Sequence, residues 1–452
     1  MKQKIFEVDK QTKTDLEIFG NSQEGNSVFG LFNHTRHVKG RQKLYDYLNK
    51  PLTDLDEITD RKEAIEYFMN YIPSGIDLDK NSLDFAEYYF KQANFPTRKP
   101  SKFVAFERFI MDRLRPGNDY YLVEKGVSST VDMLKSVYQF CIMLDQKIKS
   151  TEKKPRLLQA NTRKLLALLS QSEYVEIINN SRIRPYDRAR FDYMFRYTHK
   201  QDILYILNIV YEYDVFYAVA KAAVKFKLSF PDILPQDETC LITEGLFHPF
   251  VKDVVANDLR FEGSSNLLFI TGPNMAGKST FLKSLGLAVY LAHAGFPVPA
   301  SYMKLSLLAG LCTTINISDN LSSGYSHYYA EVMRIKNVAE KLKENPNMLV
   351  IFDELFRGTN VKDAYDGTLA VVSAFAKLKS AFFVISTHIV EVTKGLDAND
   401  NIQFSYFEII EKNGHPEYTY KLRQGVSDVR LGMYIINKEG LIELINNISN
   451  TK

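Results

Sequence analysis

Residues 272–279 read GPNMAGKS and fit the pattern GxxxxGK(S/T), which is typical of a loop that holds the phosphates of a nucleotide. The two glycines let backbone N–H groups converge on phosphate oxygens where a helix begins. Lys278 is expected to neutralise the β- and γ-phosphate oxygens, and the Ser279 hydroxyl is expected to bind Mg²⁺. The predicted nucleotide-binding residues are Gly272, Pro273, Asn274, Met275, Ala276, Gly277, Lys278, Ser279 and Thr280.

A pair of acids follows the apolar run MLVIF at residues 348–352. At the end of a buried strand, Asp353 is expected to hold Mg²⁺ through water, and Glu354 is expected to orient or deprotonate the attacking water. The alternative is a strand that ends in two solvated acids, which would be the default without the phosphate loop upstream. With that loop present, the pattern favours a site that hydrolyses ATP.

His388 completes the set of candidate catalytic residues. It follows the strand-like run AFFVIS and Thr387, where an imidazole can sense or stabilise a γ-phosphate. A histidine at the end of a strand is more often structural, but the two motifs upstream favour a functional role here.

These motifs need a sheet to position them, and the second half of the chain has the pattern of one. Apolar runs at residues 267–271, 348–352 and 381–386 are typical of buried parallel strands, and helical patterns separate them. Before about residue 232 the apolar spacing is helical, so the first half is expected to be all-α. We predict an α plus α/β protein with three parts: an N-terminal extension over 1–27, a helical domain over 28–232 and a nucleotide-binding domain over 233–452.

Composition places few limits on function. A net charge of +3 is compatible with nucleic acid but too mild to argue for it. Cys141, Cys240 and Cys312 lie far apart and form no CxxC or Cys/His set, which indicates a reduced compartment without structural zinc. The charged N-terminus does not have the pattern of a secretory signal. Residues 284–303 carry no charge but include glycines and prolines, so we expect a buried helix with its exit loop, in a cytoplasmic protein without a membrane span.

Several segments resemble the MutS DNA mismatch-repair family. TGPNMAGKST is similar to the family's phosphate loop, where an Asn-Met pair between the proline and the last glycine is characteristic. DNLSSGYSHYYAEV resembles its signature segment, IFDELFRGTN followed by DG resembles its Walker B region, and STH resembles its histidine motif. HPF followed by ND (248–250, 257–258) resembles the entry into the family's ATPase domain. GRQKLYDYLNKPLTDLDEITDRKEAIEYF and EYDVFYAVAKAAVKFKLSFPDI resemble the opening and the last helix of its helical core, so the resemblance covers most of residues 28–440.

The resemblance implies an all-helical core and lever domain followed by an ABC-type P-loop ATPase domain with C-terminal helices that contact a second subunit. It implies Mg²⁺-dependent ATP hydrolysis at sites that form across a homodimer, or across a heterodimer with a relative. Ser326, the serine of the signature segment, would contact the nucleotide held by the other subunit, and closure on nucleotide would move the helical levers. The residues that would act on a subunit's own nucleotide are Lys278, Ser279, Asp353, Glu354 and His388.

The chain also departs from the family pattern. The core-like region begins near residue 28, so we expect neither the domain that reads mismatches nor the connector after it. Phe85-Ala86-Glu87 is expected to be part of a packed helix face and not a mismatch wedge. The helical core is short, so the clamp at the lever tips is expected to be missing or reduced. Val254 or Val255 stands where the family often places an aromatic residue against adenine, and Tyr325 replaces the usual arginine of the signature segment.

The leading hypothesis is an ATPase that associates with duplex or branched DNA, and with repair proteins, without reading mismatches on its own. Arg98, Lys99, Lys102 and Arg108 form one basic cluster, and SRIRPYDRARFDYMFR interleaves arginines with aromatics. Such patterns can bind phosphates and stack on bases, but they can equally be a solvated helix face that covers a core. The alternative hypothesis is an ATP-driven dimeric switch that grips a protein partner and does not bind DNA. A small-molecule kinase and a transporter cassette fit less of the chain.

Overall fold

The computed structural model describes residues 5–20, 27–92, 101–102, 118–180, 182–261, 265–315, 327–396, 399–412 and 415–427, with positions 438, 440–442 and 445. The chain forms two compact units. The helical unit comprises Phe29–Asn49 and Thr59–Lys225. The sheet unit comprises Met1–Val28, Lys50–Ile58 and Phe226–Lys452.

The described helices and strands alternate only in the second half of the chain. The helices are α1 (Lys10–Asp15), α2 (Val28–Phe32), α3 (Val38–Asn49), α4 (Leu55–Tyr71), α5 (Lys80–Gln92), α6 (Asn118–Ser150), α7 (Arg156–Leu169), α8 (Ser172–Asn179), α9 (Pro185–Tyr193), a π-helix (Met194–Thr198), α10 (Lys200–Phe226), α11 (Lys278–His293), α12 (His327–Glu344), α13 (Val361–Phe375) and α14 (Val392–Leu396). The strands are β1 (Glu7–Val8), β2 (Asp232–Leu234), β3 (Leu241–Leu246), β4 (Asn257–Phe261), β5 (Leu267–Thr271), β6 (Tyr302–Ser306), β7 (Gly310–Thr314), β8 (Met348–Asp353), β9 (Phe382–Thr387), β10 (Ile402–Lys412) and β11 (His415–Gln424). The protein is therefore a mixed helix-and-sheet protein.

The helical unit follows the apolar periodicity of the sequence. In α3, Leu44 and Leu48 are fully buried one turn apart, as expected for two positions on one helix face. In α5, Ala86 and Tyr89 are buried, so Phe85-Ala86-Glu87 belongs to a packed helix, as the sequence indicates. The unit is thus held together by helix faces that bury their apolar stripes against one another.

Helix α10 is the most apolar element of this unit. By length and composition it could cross a membrane, yet 72% of its apolar window is buried inside the protein. It also carries a buried carboxylate, Asp214, which accepts hydrogen bonds from the backbone N–H groups of Arg36 and His37. These are the features of a central core helix, because a polar group this deep needs partners from its own protein.

The sheet unit contains a seven-stranded sheet in the order β1-β7-β8-β9-β5-β10-β11 within the described residues. Its strands pair in parallel except for the antiparallel hairpin β10–β11. A second sheet has the order β2-β6-β3-β4. Every residue of β5, β8 and β9 is buried, as expected for parallel strands that helices cover on both faces.

The three strands predicted from apolar runs are confirmed. The first matches β5, and the other two match β8 and β9 with ends that differ by a single residue. The uncharged stretch after the phosphate loop is also as expected, since residues 284–300 are buried in α11 and in the chain that leaves it. Buried apolar runs of five or six residues between helical patterns thus located the strands that matter for the site.

The expectation that the first half is all-helical is wrong at one place. Glu7 and Val8 form strand β1, which pairs in parallel with β7 and extends the seven-stranded sheet at its edge. Two residues carry too little periodicity to reveal a strand in a sequence. This pairing depends on a sheet formed by residues some 300 positions later, so local pattern could not predict it.

Candidate functional site

The phosphate-loop motif lies between β5 and α11, where the sequence predicted it. Gly272 has φ 142° and Gly277 has φ 105°, and Gly277 is the N-cap of α11. Between them Met275 is also left-handed, with φ 68°. This backbone turns sharply at the carboxyl end of a parallel strand and leads directly into a helix N-terminus, which is the geometry that presents N–H groups to an anion.

Lys278 is the first residue of α11, and only 5% of its side chain is exposed. Its Nζ donates to the carbonyl oxygens of Gly272 at 2.6 Å and Pro273 at 3.2 Å, and it lies 3.6 Å from Glu354 Oε1. Burial lowers the pKa of Lys278, and the carboxylates of Glu354 and Asp353 oppose that shift. The loop therefore holds the buried Lys278 ammonium against the carbonyl oxygens of Gly272 and Pro273. An anionic oxygen in the same place would be a stronger acceptor for this group.

Two hydroxyl groups hold the Asp353 carboxylate at the end of β8. Ser279 Oγ donates to Asp353 Oδ2, and Ser386 Oγ, from the neighbouring β9, donates to Asp353 Oδ1. The hydroxyl and carboxylate that the sequence assigned to Mg²⁺ are thus in direct contact. This set of hard oxygen donors fits Mg²⁺, which binds proteins through one or two such groups and keeps the rest of its shell for water and phosphate.

Glu354 follows Asp353 in a left-handed conformation, with φ 59°, and its N–H donates to Ser386 O at 3.1 Å. Its Oε2 lies 3.7 Å from His388 Nδ1 and 2.9 Å from Arg357 Nε. His388, Arg357 and Lys278 lower the pKa of Glu354 to about 2, although burial of the carboxyl opposes the shift. The residue proposed to act on water is therefore ionised and surrounded by three cationic or titratable groups.

A cavity of about 590 Å³ opens beside these groups. One side is the phosphate loop with Lys278 and Glu354, and another is the chain between β3 and β4, which includes Val254 and Val255. A volume of this size is typical of a small-molecule site. The remaining walls include an aromatic side chain from the β10–β11 hairpin, Tyr420, which is 46% exposed.

Arg357 and Tyr420 are lining residues that sequence reasoning missed. Arg357 lies three residues after Glu354 in the segment IFDELFRGTN. The sequence therefore showed that it is near the acid pair, but not that its guanidinium contacts the Glu354 carboxylate. Tyr420 comes from a hairpin far along the chain, and its backbone oxygen accepts from Asn257 Nδ2 at 3.0 Å. Asn257 Oδ1 also accepts from the N–H of Leu422, so this asparagine fixes the hairpin beside the cavity.

Some of the predicted residues cannot be compared with the structure. Ser326 and Tyr325 lie outside the described residues, as do Arg98, Lys99 and Arg108. Lys102 is described and is exposed. The remaining predicted residues, from the phosphate loop to Asp353, Glu354 and His388, lie together at the carboxyl ends of β5, β8 and β9, which are neighbours in the sheet.

The arginine-rich stretch around α9 is largely paired within the helical unit. Its ion pairs are Arg184–Asp187, Arg188–Glu124, Arg190–Glu176 and Arg196–Asp192. Phe191 and Phe195 from the same stretch are buried. This arrangement favours the interpretation that the stretch covers a core, because its arginines form ion pairs with acids of the same unit and two of its rings are buried, although the Arg184 side chain is 78% exposed.

Comparison with known proteins gives a consistent assignment for both units. A family model described as MutS domain III matches residues 11–220, and one described as MutS domain V matches residues 268–451. Similar proteins include the DNA mismatch repair proteins MutS of Carboxydothermus hydrogenoformans, at 23% identity over 96% of this chain, and of Petrotoga mobilis, at 22% over 97%. The MutS protein of Shouchella clausii is 30% identical over 51% of this chain and 27% of its own length. The chain spans only 62% and 63% of the first two relatives.

Proposed function

The chain belongs to the MutS family, and from that premise we propose that it is a Mg²⁺-dependent ATPase that acts on DNA in mismatch repair or a related repair or recombination process. One observation carries the ATPase part of this proposal. Residues from three separate parts of the chain, 272–280, 353–354 and 388, converge at the ends of neighbouring strands beside one cavity. A phosphate loop, an acid pair and a histidine in this arrangement have the chemistry that ATP hydrolysis requires.

The phosphates of ATP would lie along the loop over 272–279, which leads into the N-terminus of α11 at Gly277. Lys278 would exchange the Gly272 and Pro273 carbonyls for β- and γ-phosphate oxygens. Mg²⁺, when bound, neutralises charge between the phosphates, and Ser279 and Asp353 are the residues that would hold it. Glu354 would orient or deprotonate the attacking water, and His388 would face the γ-phosphate.

The proposed architecture is a helical core and lever domain over 28–232, an ABC-type P-loop ATPase domain over 233–452, and an extension over 1–27. We propose that the active form is a homodimer, or a heterodimer with a relative, in which Ser326 and C-terminal helices reach the second subunit. A cytoplasmic location and repair proteins as partners belong to the same proposal. The matches to MutS domains III and V support the order of the two domains, and the resemblance of the signature segment to that of the family supports the dimer.

The base of ATP would lie in the part of the cavity lined by Val254, Val255 and Tyr420. A Cβ atom placed on Gly277 would lie 3.4 Å from Tyr420 Cδ1, so this ring is in close contact with the phosphate loop. We propose that Tyr420 supplies the aromatic surface for adenine that the valines do not. An aromatic ring is suited to this because every base has a π-face on which it can stack.

Replacing Tyr420 with alanine should weaken ATP binding about tenfold, since base stacking contributes about 1–3 kcal/mol. Binding of inorganic triphosphate should not change, because it has no base. Calorimetry on the wild type, Tyr420→Ala and Tyr420→Phe would measure both ligands, and the phenylalanine variant should behave as the wild type. Tyr302→Ala is a control from β6, because Tyr302 is an exposed tyrosine that does not line this cavity. If Tyr420→Ala lost affinity equally for ATP and for inorganic triphosphate, the adenine base would not stack on Tyr420.

DNA binding is the part of the proposal with the least support from side chains in the described residues, since four of the five arginines in residues 181–196 form ion pairs. It should be measured by fluorescence anisotropy of labelled duplex, mismatched and four-way-junction DNA, with ATP or ADP, across a salt series. We expect ATP-dependent binding that weakens steeply with salt, because phosphate contacts release counterions. ATPase activity without DNA binding at low salt would instead favour the alternative, an ATP-driven switch that holds a protein partner.

A further inference from the structure

The chain turns sharply where strand β8 ends, in a segment called here the acid turn, which comprises Glu354, Leu355, Phe356 and Arg357. Glu354 and Phe356 both have left-handed backbone conformations, with φ 59° and φ 61°. This conformation is unfavourable for a residue that carries a Cβ atom, and a bulky residue such as phenylalanine rarely adopts it. Two such residues within three positions indicate that contacts outside the acid turn determine its shape.

Hydrogen bonds fix the backbone of the acid turn on both sides of Phe356. Before it, the N–H of Glu354 donates to the carbonyl oxygen of Ser386, on the neighbouring strand β9, at 3.1 Å. After it, the N–H of Arg357 donates to Glu331 Oε1 of α12 at 3.3 Å, and Arg357 Nη2 donates to the carbonyl oxygen of Asp353 at 3.3 Å. The side chain of Phe356 supplies the third attachment.

This side chain is buried against α12 and α13, and only 4% of Phe356 is exposed. Its ring centroid lies 5.6 Å from that of Tyr328, at the start of α12. It belongs to the same buried cluster as Ala364 and Val372 of α13. A Cβ atom placed on Gly367, also in α13, would lie 3.0 Å from Phe356 Cε2 and 3.1 Å from Cδ2. The ring of Phe356 therefore lies directly on the backbone of α13.

The close approach of this ring explains a glycine in the middle of α13. Inside a helix, glycine is less favourable than alanine because its backbone loses more conformational freedom on folding. A larger residue at position 367 would fit only if the ring of Phe356 moved, and that ring is attached to the left-handed backbone of the acid turn. The packing of α13 thus fixes the Phe356 ring, and the ring fixes the backbone two residues after Glu354.

The acid turn positions the carboxylate of Glu354. Its Oε1 lies 3.6 Å from Lys278 Nζ, and its Oε2 lies 3.7 Å from His388 Nδ1. A group that orients or deprotonates water must stay within hydrogen-bond reach of it, so a small displacement of this carboxylate lowers the rate. We propose that Phe356 is a positioning residue of the ATPase, which holds Glu354 in place through the contact of its ring with Gly367.

This inference rests on the proposed function, and it assigns Phe356 an effect on hydrolysis and none on ATP binding. Phe356 does not line the cavity, and the phosphate loop is not part of its contacts with α12 and α13. A change at this contact should therefore lower kcat and leave the Kd for ATP unchanged.

Gly367→Ala is the variant that tests this proposal. The added methyl group presses on the Phe356 ring, removes no group of the site and favours the helical conformation of α13. We expect kcat to fall about tenfold, since a misplacement of about 1 Å can cost about 100-fold and the ring has to move by less. The Kd for ATP, measured by calorimetry without turnover, should stay within about twofold of the wild type. In a Phe356→Leu background the smaller side chain leaves room for the methyl group, so Gly367→Ala should there change kcat by less than about twofold.

Gly395→Ala is the matched control, because it presses on α13 at a different place. A Cβ atom on Gly395, in α14, would lie 2.8 Å from Leu369 Cδ1, and its next neighbours are Leu369 Cδ2 and Tyr365 Oη. We expect this variant to keep kcat within about twofold of the wild type. Equal loss of kcat in Gly367→Ala and Gly395→Ala, at similar unfolding temperatures, would overturn the proposal. A kcat of Gly367→Ala within twofold of the wild type would overturn it as well.

Combination with Glu354→Gln tests whether Phe356 acts through Glu354. If Gly367→Ala lowers the rate only by displacing the Glu354 carboxylate, it should change the residual single-turnover rate of Glu354→Gln by less than about twofold. A general disturbance of the structure would lower that residual rate by the same factor as in the wild type, which would contradict the proposal. If the wild type does not hydrolyse ATP, the proposed function itself fails. An active wild type with an unaffected Gly367→Ala variant overturns only the role of Phe356.

Discussion

Replacing Lys278 with alanine is expected to weaken ATP binding by at least about 100-fold. The side chain lies inside the phosphate loop, and its Nζ already donates to two loop carbonyls. Phosphate oxygens carry more negative charge than those carbonyls, so ATP would replace both as acceptors. Charge-assisted hydrogen bonds contribute about 1.5–3 kcal/mol each. Losing two of them costs about 3 kcal/mol or more, which corresponds to a loss of affinity of at least about 100-fold. Isothermal titration calorimetry with ATP in the presence of Mg²⁺ would measure it.

Lys278→Ala also removes a buried side chain that satisfies loop carbonyls, so loss of binding must be separated from loss of the loop's structure. Lys278→Met keeps the length and apolar stem and removes only the charge and the donors. Both variants should unfold cooperatively and bind ATP poorly. Lys336→Ala, which removes an exposed lysine of α12, is the control for a general loss of positive charge. ATP affinity within a few-fold of the wild type in Lys278→Met would show that the loop binds no phosphate through this residue.

The sequence predicted well what is determined locally. The phosphate loop, its strand and its helix are consecutive, and the buried strands on either side of the site are uniform apolar runs. Asp353 and His388 could be placed because Asp353 is the last residue of β8 and His388 directly follows β9. Parallel strands bring their carboxyl ends to one edge, so three short local patterns were enough to assemble the core of the site.

What could not be predicted depends on contacts between distant parts of the chain. Tyr420 reaches the cavity because Asn257 ties the β10–β11 hairpin to a position 163 residues away. Asp15 meets Thr313 across 298 residues, and nothing in the local pattern of VDKQTKTDLEI marks a buried carboxylate. Two arginines of α9, Arg188 and Arg190, pair with Glu124 and Glu176 on other helices, and these partners could not be read from the sequence. Periodicity reports which residues are buried, but it does not report their partners.

The Lys278 ammonium, the Arg357 guanidinium and the imidazole of His388 surround the carboxylate of Glu354. Lys278, Arg357 and His388 all lie within 4 Å of its carboxylate, and the pKa of about 2 is the consequence. A carboxylate with so low a pKa is a weak base. The phosphates of ATP would compete for the Lys278 and Arg357 cations, and as these turned toward phosphate, the pKa of Glu354 would rise. Binding of ATP would thereby make Glu354 a better acceptor for a proton of the attacking water.

Glu354→Gln is accordingly expected to separate binding from turnover. Glutamine keeps the size and one oxygen acceptor but cannot take a proton, so kcat should fall about 10²- to 10⁴-fold, the contribution typical of a general base. ATP affinity should be at least as high as in the wild type, because a negative charge 3.6 Å from Lys278 Nζ no longer competes with the phosphates. Phosphate release would give kcat, and calorimetry, under conditions without turnover, would give the Kd.

Glu411→Gln is a suitable control, since Glu411 is an exposed glutamate on β10 and does not line the cavity. It should leave both kcat and Kd unchanged. If Glu354→Gln hydrolyses ATP at the wild-type rate, another group accepts the proton, and the contacts of Glu354 with Lys278, Arg357 and His388 serve only the folded structure. If Glu354→Gln loses affinity for ATP together with kcat, the Glu354 carboxylate is needed for the structure of the phosphate loop. It then does not compete with the ATP phosphates for Lys278. Tight binding with slow turnover is the result expected if Glu354 acts on the attacking water.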